Sequence, residues 1–245
     1  MEIIIFSIIV GFIAQLIDGA LGMAYGVTSN TALLSLGIVP SLASASVHTA
    51  EVFTTAASGV SHLKLGNVDK KLFKKLLIPG IIGGFLGAYV LTSIPGDIIK
   101  PFVNLYLLII GFIIIYKAFK YEISNLKVKT KVVLLGGIGG FLDAIGGGGW
   151  GPIVTSTLVA RGHNPRFTIG SVNLAEFFVT ITEAITFLIL LKISYWQIII
   201  GLIIGGVLAA PLAASICKKL PPRILMIIVG ITIIVLSIRN LYYTF

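Results

Sequence analysis

Two glycine-rich segments that interrupt apolar runs constrain the fold of this chain more than any other feature. The first, residues 15–26, reads QLIDGALGMAYG, and the second, residues 143–151, reads DAIGGGGWG. Adding 125 to a number in the first segment gives its counterpart in the second, so that Asp18 corresponds to Asp143 and Tyr25 to Trp150. A simple membrane helix has little reason to contain an acid and several glycines. The pair therefore predicts two broken helices that together form the functional centre.

The composition indicates a membrane environment for these segments. Of the 245 residues, 57% are hydrophobic and 11% are charged, and the mean hydropathy is +1.07. Soluble domains carry about a quarter charged residues, and several apolar stretches here approach the roughly 20 residues that a membrane helix needs. We therefore predict an all-α polytopic membrane protein. The net charge of +9 does not indicate a nucleic-acid partner, because the basic residues lie in short loops between apolar runs, as the positive-inside bias requires.

The duplication extends well beyond the two broken segments. Residues 11–63 align with residues 136–188 without a gap, and a fixed offset that matches glycine, proline and acidic residues predicts a structural repeat. We expect residues 1–120 to form the first repeat and residues 132–245 the second, with a basic cytoplasmic linker over 121–131. Identical pairs include Gly37/Gly162, Pro40/Pro165, Ser46/Ser171, Glu51/Glu176 and Thr55/Thr180.

Both repeats predict the same series of helices. An apolar helix (3–17 and 132–142) runs into the glycine break, and a short helix follows (28–36 and 153–160). At about 1.5 Å per residue the short helix cannot cross a bilayer. Three full-length helices complete each repeat, at 41–63, 72–93 and 98–119 in the first and at 167–191, 196–217 and 224–242 in the second.

The distribution of basic residues predicts how these helices cross the membrane. If each broken segment returns to the side from which it entered and each long helix crosses, fifteen Lys and Arg residues face one side and three face the other. Three crossings per repeat is an odd number, so we expect the repeats to be inverted, with both termini outside. Inverted repeats with paired broken helices are typical of secondary transporters, whose site lies near the midplane between the repeats.

The breaks supply the first group of candidate site residues. Irregular backbone at membrane depth is tolerated only where it lines a cavity or is buried in protein, and a helix that begins there offers free N–H groups to an anion. The alternative is that the glycines only permit close helix packing. The predicted substrate-binding residues are Gly22, Tyr25, Gly26, Thr28, Ser29 and Asn30 in the first repeat, and Gly147, Gly148, Gly149, Trp150, Gly151, Thr155 and Ser156 in the second. For Tyr25 and Trp150, a gating role or stacking on a ligand is also expected.

A polar stripe along the 41–63 helix supplies the second group. Its members recur every three or four residues and therefore share one helical face. They are Ser44, His48, Glu51, Thr55, Ser58 and His62, and the counterpart helix carries Asn173, Glu176, Thr180 and Glu183.

Acids near the middle of membrane helices are the most informative members of this group. A charge there costs about 2.5–3.5 kcal/mol, so we expect Glu51 and Glu176, together with Asp18 and Asp143, to carry protons or to act as structural acids. We place His48 and its counterpart Asn173 at the substrate site. For His48 a proton relay and a helix–helix hydrogen bond remain open alternatives.

These motifs resemble one known family. The Asp18-Gly-x-x-Gly-x-x-x-Gly26 break, Pro40, the Ser46-Val-x-x-Ala-Glu51 helix and their second copies resemble the sulfite exporter TauE/SafE family of sulfonate uptake permease-type membrane transporters. The resemblance covers nearly the whole chain. It implies a multi-pass carrier in a bacterial or archaeal plasma (inner) membrane for small organosulfur anions such as sulfite, sulfoacetate or related sulfonates. Because Asn173 stands where the first repeat has His48, any family role of that position applies to one half at most.

The resemblance and the composition together define the expected partners. These are a small anionic organosulfur substrate, protons and the lipid bilayer, with no nucleic acid, no metal and no cofactor. A homodimer is left open. The rival hypotheses are a cation/proton exchanger that uses the four membrane carboxylates and an anion channel. An intramembrane enzyme is disfavoured, since His48 and Glu51 lack the His-Glu-x-x-His spacing of a zinc protease.

Overall fold

All regular secondary structure that the computed structural model describes is helical. The described residues are 2–21, 23–119, 130–191, 195–217 and 222–243. The α-helices in them are α1 (Glu2–Leu21), α2 (Tyr25–Ser35), α3 (Pro40–Lys64), α4 (Lys70–Ser93), α5 (Gly96–Phe119), α6 (Val132–Gly146), α7 (Ser156–Ala160), α8 (Pro165–Leu190), α9 (Trp196–Cys217) and α10 (Pro222–Tyr242). A π-helical turn, Gly151–Thr155, runs directly into α7.

The first helix of each repeat is longer than predicted. α1 continues through Asp18 to Leu21, and α6 continues through Asp143 to Gly146, whereas the predicted ends were residues 17 and 142. A glycine costs only about 1 kcal/mol inside a helix, so the glycines near these acids do not end it. α6 ends where the backbone becomes left-handed, at Gly147 with φ 64°. The other predicted helices begin and end within three residues of the observed ones, while Gly22 and the linker residues 121–129 lie outside the described residues.

Helices from opposite repeats pack on one another. α1 lies along α9 and α4 lies along α6, in both cases parallel, while α3 packs antiparallel on α8 and α5 antiparallel on α10. Glycines permit the close parallel contacts, because a Cβ added to Gly83 would lie 2.1 Å from the carbonyl oxygen of Gly137. A Cβ added to Gly140 would lie 2.3 Å from the carbonyl oxygen of Gly80. Small residues of this kind allow membrane helices to approach closely.

Large apolar side chains are exposed on the outer surface of the bundle, and several polar side chains are buried inside it. Ile5, Ile9 and Ile13 are about half exposed along one face of α1 (51%, 53% and 48%), whereas Asn30 and His48 are fully buried. A chain in water would place such isoleucines inside and leave most polar side chains outside. This inverted arrangement is expected of a protein surrounded by lipid.

Three helices in the described part of the chain are long and apolar enough to cross a membrane: Lys70–Ser93, Gly96–Phe119 and Arg166–Leu190. Trp196–Ala209 and Met226–Tyr242 are shorter apolar helices. α3 was also predicted to cross and is long enough, at 25 residues, but it carries the polar stripe and is not among the three. By length and composition alone, the described residues therefore support half of the six predicted spans.

The loops meet at the two ends of the bundle. At one end, Arg166 donates hydrogen bonds to Asn67 Oδ1 (2.5 Å) and to the Leu65 carbonyl (3.3 Å), which joins the α3–α4 loop to the start of α8. At the other end, Arg239 near the end of α10 donates to the Ser35 carbonyl at the end of α2 (3.3 Å). α3 begins at the end of the bundle where Arg239 lies and finishes at the end where Arg166 lies.

Candidate functional site

The two broken segments contact each other inside the bundle. A Cβ added to Gly26 would lie 2.6 Å from the Cα of Gly148, and one added to Gly148 would lie 2.1 Å from the Val27 nitrogen. Asn30 Nδ2 donates to the Gly146 carbonyl (2.5 Å) and so caps the end of α6. The break of the second repeat therefore rests on the first turns of α2. Close packing accounts for Gly26 and Gly148 in this structure, and contact of these glycines with a ligand stays a prediction.

The acid in each break hydrogen-bonds to backbone across that break. Asp143 Oδ1 accepts from the N–H groups of Gly149 (2.5 Å) and Trp150 (2.8 Å), and Asp143 is only 1% exposed. Asp18 Oδ1 accepts from the N–H of Tyr25 at 3.4 Å. Each acid thus bonds the residue seven positions later, and both carboxylates hold the helix that follows the break. Asp143 does so with two short bonds and Asp18 with one long bond.

The two aromatic residues of the breaks anchor them to neighbouring helices. The Tyr25 hydroxyl donates to the Leu202 carbonyl of α9 (3.2 Å), and Trp150 Nε1 donates to the Val172 carbonyl of α8 (3.2 Å). Tyr25 is 1% exposed and Trp150 is fully buried. Both side chains are therefore held by protein, while a gating or ligand-stacking role stays a prediction.

The first turns of α2 present polar atoms that have no protein partner. Among the described residues, the buried hydroxyl oxygens of Thr28 and Ser29 and the Oδ1 of Asn30 have no hydrogen-bond partner. Ala24, the residue before α2, has φ 107°, a left-handed conformation that costs energy for any residue except glycine. Unpaired polar groups and local strain at a buried helix start are typical of a functional position.

The corresponding turn in the second repeat is occupied. The Ser156 hydroxyl donates to the Pro152 carbonyl, and Lys117 Nζ from α5 donates to the Ser156 hydroxyl and to the same carbonyl (3.2 Å). Thr155 is buried nearby, at 2% exposure. Lys117 belongs to the last turn of α5, within the predicted 98–119 helix. Of the two predicted anion sites, the one at α2 therefore retains more unpaired donors.

A buried histidine–carboxylate cluster joins the two repeats. His48 Nδ1 on α3 lies 3.2 Å from Glu51 Oε2 on the same helix and 3.1 Å from Glu183 Oε2 on α8. His48 Nε2 lies 3.2 Å from the backbone carbonyl oxygen of Asp143 on α6. His48 and Glu183 are fully buried and Glu51 is 5% exposed. The ring of Phe187 is stacked parallel to the imidazole at 6.2 Å, so the cluster is closed on that face.

The same cluster is the place in the described residues where a cation could bind. Single ligand-type atoms of His48, Asp143 and Glu183 lie within 4.8 Å of one another. However, Asp143 Oδ1 already accepts two N–H bonds, and one nitrogen of His48 faces a carbonyl group. The open acceptors are the oxygens of Glu183 and Asp143 Oδ2.

Glu183 is the member of the polar stripe whose role the sequence did not indicate. It belongs to the polar stripe of α8, but the predicted site residues on that helix were Asn173 and Glu176. Asn173 is 6% exposed, and its carbonyl lies near Gly59 of α3. Glu176 is partly buried, and its carbonyl accepts the Thr180 hydroxyl (3.0 Å).

Further residues reach the second break from outside the predicted set. Ser44 Oγ donates to the Ala144 carbonyl (2.5 Å), and the Tyr106 hydroxyl donates to the Gly148 carbonyl (3.5 Å). A Cβ added to Gly149 would meet that hydroxyl at 2.2 Å, and Gly151 begins the π-helical turn. The spacing of Ser44 within the α3 stripe was the available signal for its position.

Comparison with known proteins defines the class. The sulfite exporter TauE/SafE family matches residues 7–240, and the chain belongs to that family. It is 47% identical over 249 residues to the probable membrane transporter protein YtnM of Bacillus subtilis, and the aligned region covers 98% of this chain and 83% of that protein. It is 24% identical over 228 residues to the probable membrane transporter protein YdhB of the same organism, with 89% of each covered. No solved structure matches the chain. The protein is therefore a membrane-embedded transporter.

Proposed function

We propose that this protein is a secondary transporter of small organosulfur anions of the sulfite, sulfonate or sulfoacetate type, coupled to protons. The anion binds at the start of α2, between the two broken helices and near the midplane of the membrane. The observation that carries the proposal is the buried start of α2, where Thr28 and Ser29 keep unpaired hydroxyl groups. The N-terminal end of a helix favours negative charge, and its free N–H groups can bind an oxyanion.

The packing of the helices supports an inverted repeat. α3 and α8 are counterparts at the offset of 125, and they pack antiparallel, with Thr55 Oγ1 only 3.4 Å from its counterpart Thr180 Oγ1. In the second repeat α6 is the counterpart of α1, and α9 is the counterpart of α4. The α1–α9 contact and its counterpart, the α6–α4 contact, are both present. Antiparallel counterparts that cross a membrane run in opposite directions, as inverted repeats require.

Flux through reconstituted protein tests the substrate class. The purified chain in liposomes should release radiolabelled sulfite, sulfoacetate or taurine faster than empty liposomes do. Ser29→Ala with Thr28→Val should raise the KM by about two orders of magnitude or more, because two hydrogen bonds to a charged group together contribute about 3–6 kcal/mol. Ser35→Ala is the matched control, since this serine lies at the far end of α2 and bonds the Ala32 carbonyl. Absence of flux for all three compounds would refute the proposal.

Labelling from one side tests the topology. With Cys217 replaced by alanine, single cysteines at Gly37 and Asp97 should react with an impermeant maleimide added outside intact cells. Single cysteines at Gly66 and His163 should react only after the cells are opened. Labelling of Gly37 and Gly66 from the same side would contradict the inverted arrangement with outside termini.

A cation/proton exchanger is the second candidate function. The closeness of His48, Asp143 and Glu183 favours it, because carboxylate oxygens suit hard cations. An exchanger predicts that Na⁺ or a divalent cation raises the melting temperature. It also predicts that Glu51→Gln with Glu176→Gln abolishes this effect, whereas an anion carrier is stabilised by its anion.

A further inference from the structure

The hydrogen bonds of His48 determine where one of its protons lies. Nε2 is 3.2 Å from the Asp143 carbonyl oxygen. A carbonyl oxygen can only accept a hydrogen bond, so Nε2 must carry a hydrogen atom. In a neutral imidazole the other nitrogen, Nδ1, would then be a bare acceptor.

Nδ1 faces two carboxyl groups, which in their ionised form can only accept hydrogen bonds. Glu51 Oε2 and Glu183 Oε2 lie 3.2 and 3.1 Å away, on side chains that are 7% and 0% exposed. A bare Nδ1 would place three lone-pair acceptors against each other in the interior, where unpaired polar groups and like charges are costly. Among the described residues, His48 Nδ1, Glu51 Oε2 and both oxygens of Glu183 have no hydrogen-bond partner. A fully buried carboxylate without a hydrogen-bond partner therefore lies next to Nδ1.

The groups around the cluster add negative charge. The Asp143 carboxylate on α6 lies beside it, and Asp18 on α1 and Glu176 on α8 interact electrostatically with Glu51. Within the part of the chain that the structure describes, the phenols of Tyr25 on α2 and Tyr106 on α5 also lie close to these acids. These neighbours increase the need for a proton between Nδ1 and the two glutamates.

We infer that His48, Glu51 and Glu183 hold one extra proton at Nδ1, and that this proton is the one that moves with the transported anion. The position of the proton does not depend on the proposed function, whereas its movement with the transported anion rests on that function. The 3.1 Å contact between Nδ1 and Glu183 Oε2 joins α3 to α8, that is, one repeat to the other. Loss of the proton leaves acceptors facing each other across this contact and drives the two helices apart. The protonation state and the relative position of the repeats are therefore linked.

Nitrogen NMR tests the proton without any substrate. The chain has three histidines, so the His48 signals of ¹⁵N-histidine-labelled protein in lipid nanodiscs are assigned by their loss in His48→Asn. We expect both ring nitrogens of His48 to be protonated at neutral pH. In Glu51→Gln with Glu183→Gln, His48 should become neutral, with its proton on Nε2. A neutral His48 in the unmodified protein would overturn the inference, and so would a bare Nδ1 that shifts on addition of Na⁺ or Zn²⁺.

Transport with and without a pH gradient tests the coupling. Glu183→Gln should reduce sulfite accumulation driven by a pH gradient about tenfold, the size of a typical coupling between two sites. Sulfite exchange at equal pH on both sides should fall less than pH-driven accumulation does. Glu183→Ser, which copies the counterpart Ser58, should behave in the same way, and Glu2→Gln at the exposed start of α1 is the matched control. Full pH-driven accumulation by Glu183→Gln would overturn the coupling role. If the unmodified protein moves no sulfite, the proposed function fails, while the NMR result still decides the position of the proton.

Discussion

Removing the carboxylate of Asp143 should destabilise the protein far more than removing that of Asp18. In Asp143→Ala, the N–H groups of Gly149 and Trp150 lose the acceptor to which they bond at 2.5 and 2.8 Å. Each buried N–H left unpaired costs about 1–3 kcal/mol, so the expected loss is about 2–6 kcal/mol. Asp18→Ala breaks a single contact of 3.4 Å, at the long limit of hydrogen bonding, and should cost less than about 1 kcal/mol.

The conservative variant separates hydrogen bonding from charge. In Asp143→Asn the amide oxygen can still accept both N–H bonds, although charge-assisted bonds are about twice as strong as neutral ones. We expect Asp143→Asn to lose about 1–2 kcal/mol, clearly less than Asp143→Ala. Transport should then fall with Asp143→Ala mainly because less protein is folded.

Unfolding in detergent measures these differences. The unfolded fraction is followed by tryptophan fluorescence while SDS is added to dodecylmaltoside micelles, and Asp97→Ala, at an exposed acid in the first turn of α5, is the control. If Asp143→Ala proves as stable as Asp18→Ala, the carboxylate does not hold the break. Its hydrogen bonds would then have to be replaced readily by other groups.

Four further substitutions test the packing. Gly140→Ala should destabilise the protein by several kcal/mol, because the added Cβ would lie 2.3 Å from a backbone atom. Gly137→Ala has room, since the nearest atom to its added Cβ is 3.7 Å away. It should be neutral or stabilising by up to about 1 kcal/mol in the same SDS titration. Tyr25→Phe loses one hydrogen bond to a carbonyl of α9 and should lower the free energy of unfolding by about 1 kcal/mol. Arg166→Ala removes an exposed contact to Asn67 and should change the free energy of unfolding by less than about 1 kcal/mol.

Helix positions could be predicted from this sequence because glycine, proline and charged residues mark the helix ends. α9 was predicted with the observed bounds, and α8 was predicted to begin two residues after Pro165. The ends of α1 and α6 were predicted too early, because each acid was read as part of the break. Hydrogen bonds from an acid to backbone seven residues later depend on the path of the chain through the break. That path is set by left-handed residues such as Ala24, which no sequence signal marks.

The meeting of His48 with Glu183 was harder to foresee, although the duplication contains the needed information. An antiparallel crossing with Thr55 opposite Thr180 places a residue seven positions before Thr55 near the residue seven positions after Thr180. His48 is the first of these, and Phe187, which stacks on its ring, is the second. Glu183 lies one helical turn nearer the crossing. Helical spacing alone shows which residues share a face, but it does not show which residues of the partner helix lie opposite.

The two repeats agree in their breaks but differ at the crossing of α3 and α8. At the offset of 125, His48 corresponds to Asn173 and Glu183 to Ser58, so the counterpart of the buried ion pair would join an amide and a hydroxyl group. Neither of these changes its charge at physiological pH. If both repeats carried the histidine and the glutamate, two such contacts would form, with one dissociable proton on each side of the crossing. The sequence difference leaves one, on the side of the crossing that faces the Asp143 carbonyl and the second break. The proposed symmetry between the two repeats therefore accounts for the shape of the site, and the different residues at the counterparts of His48 and Glu183 leave the proposed proton a single position.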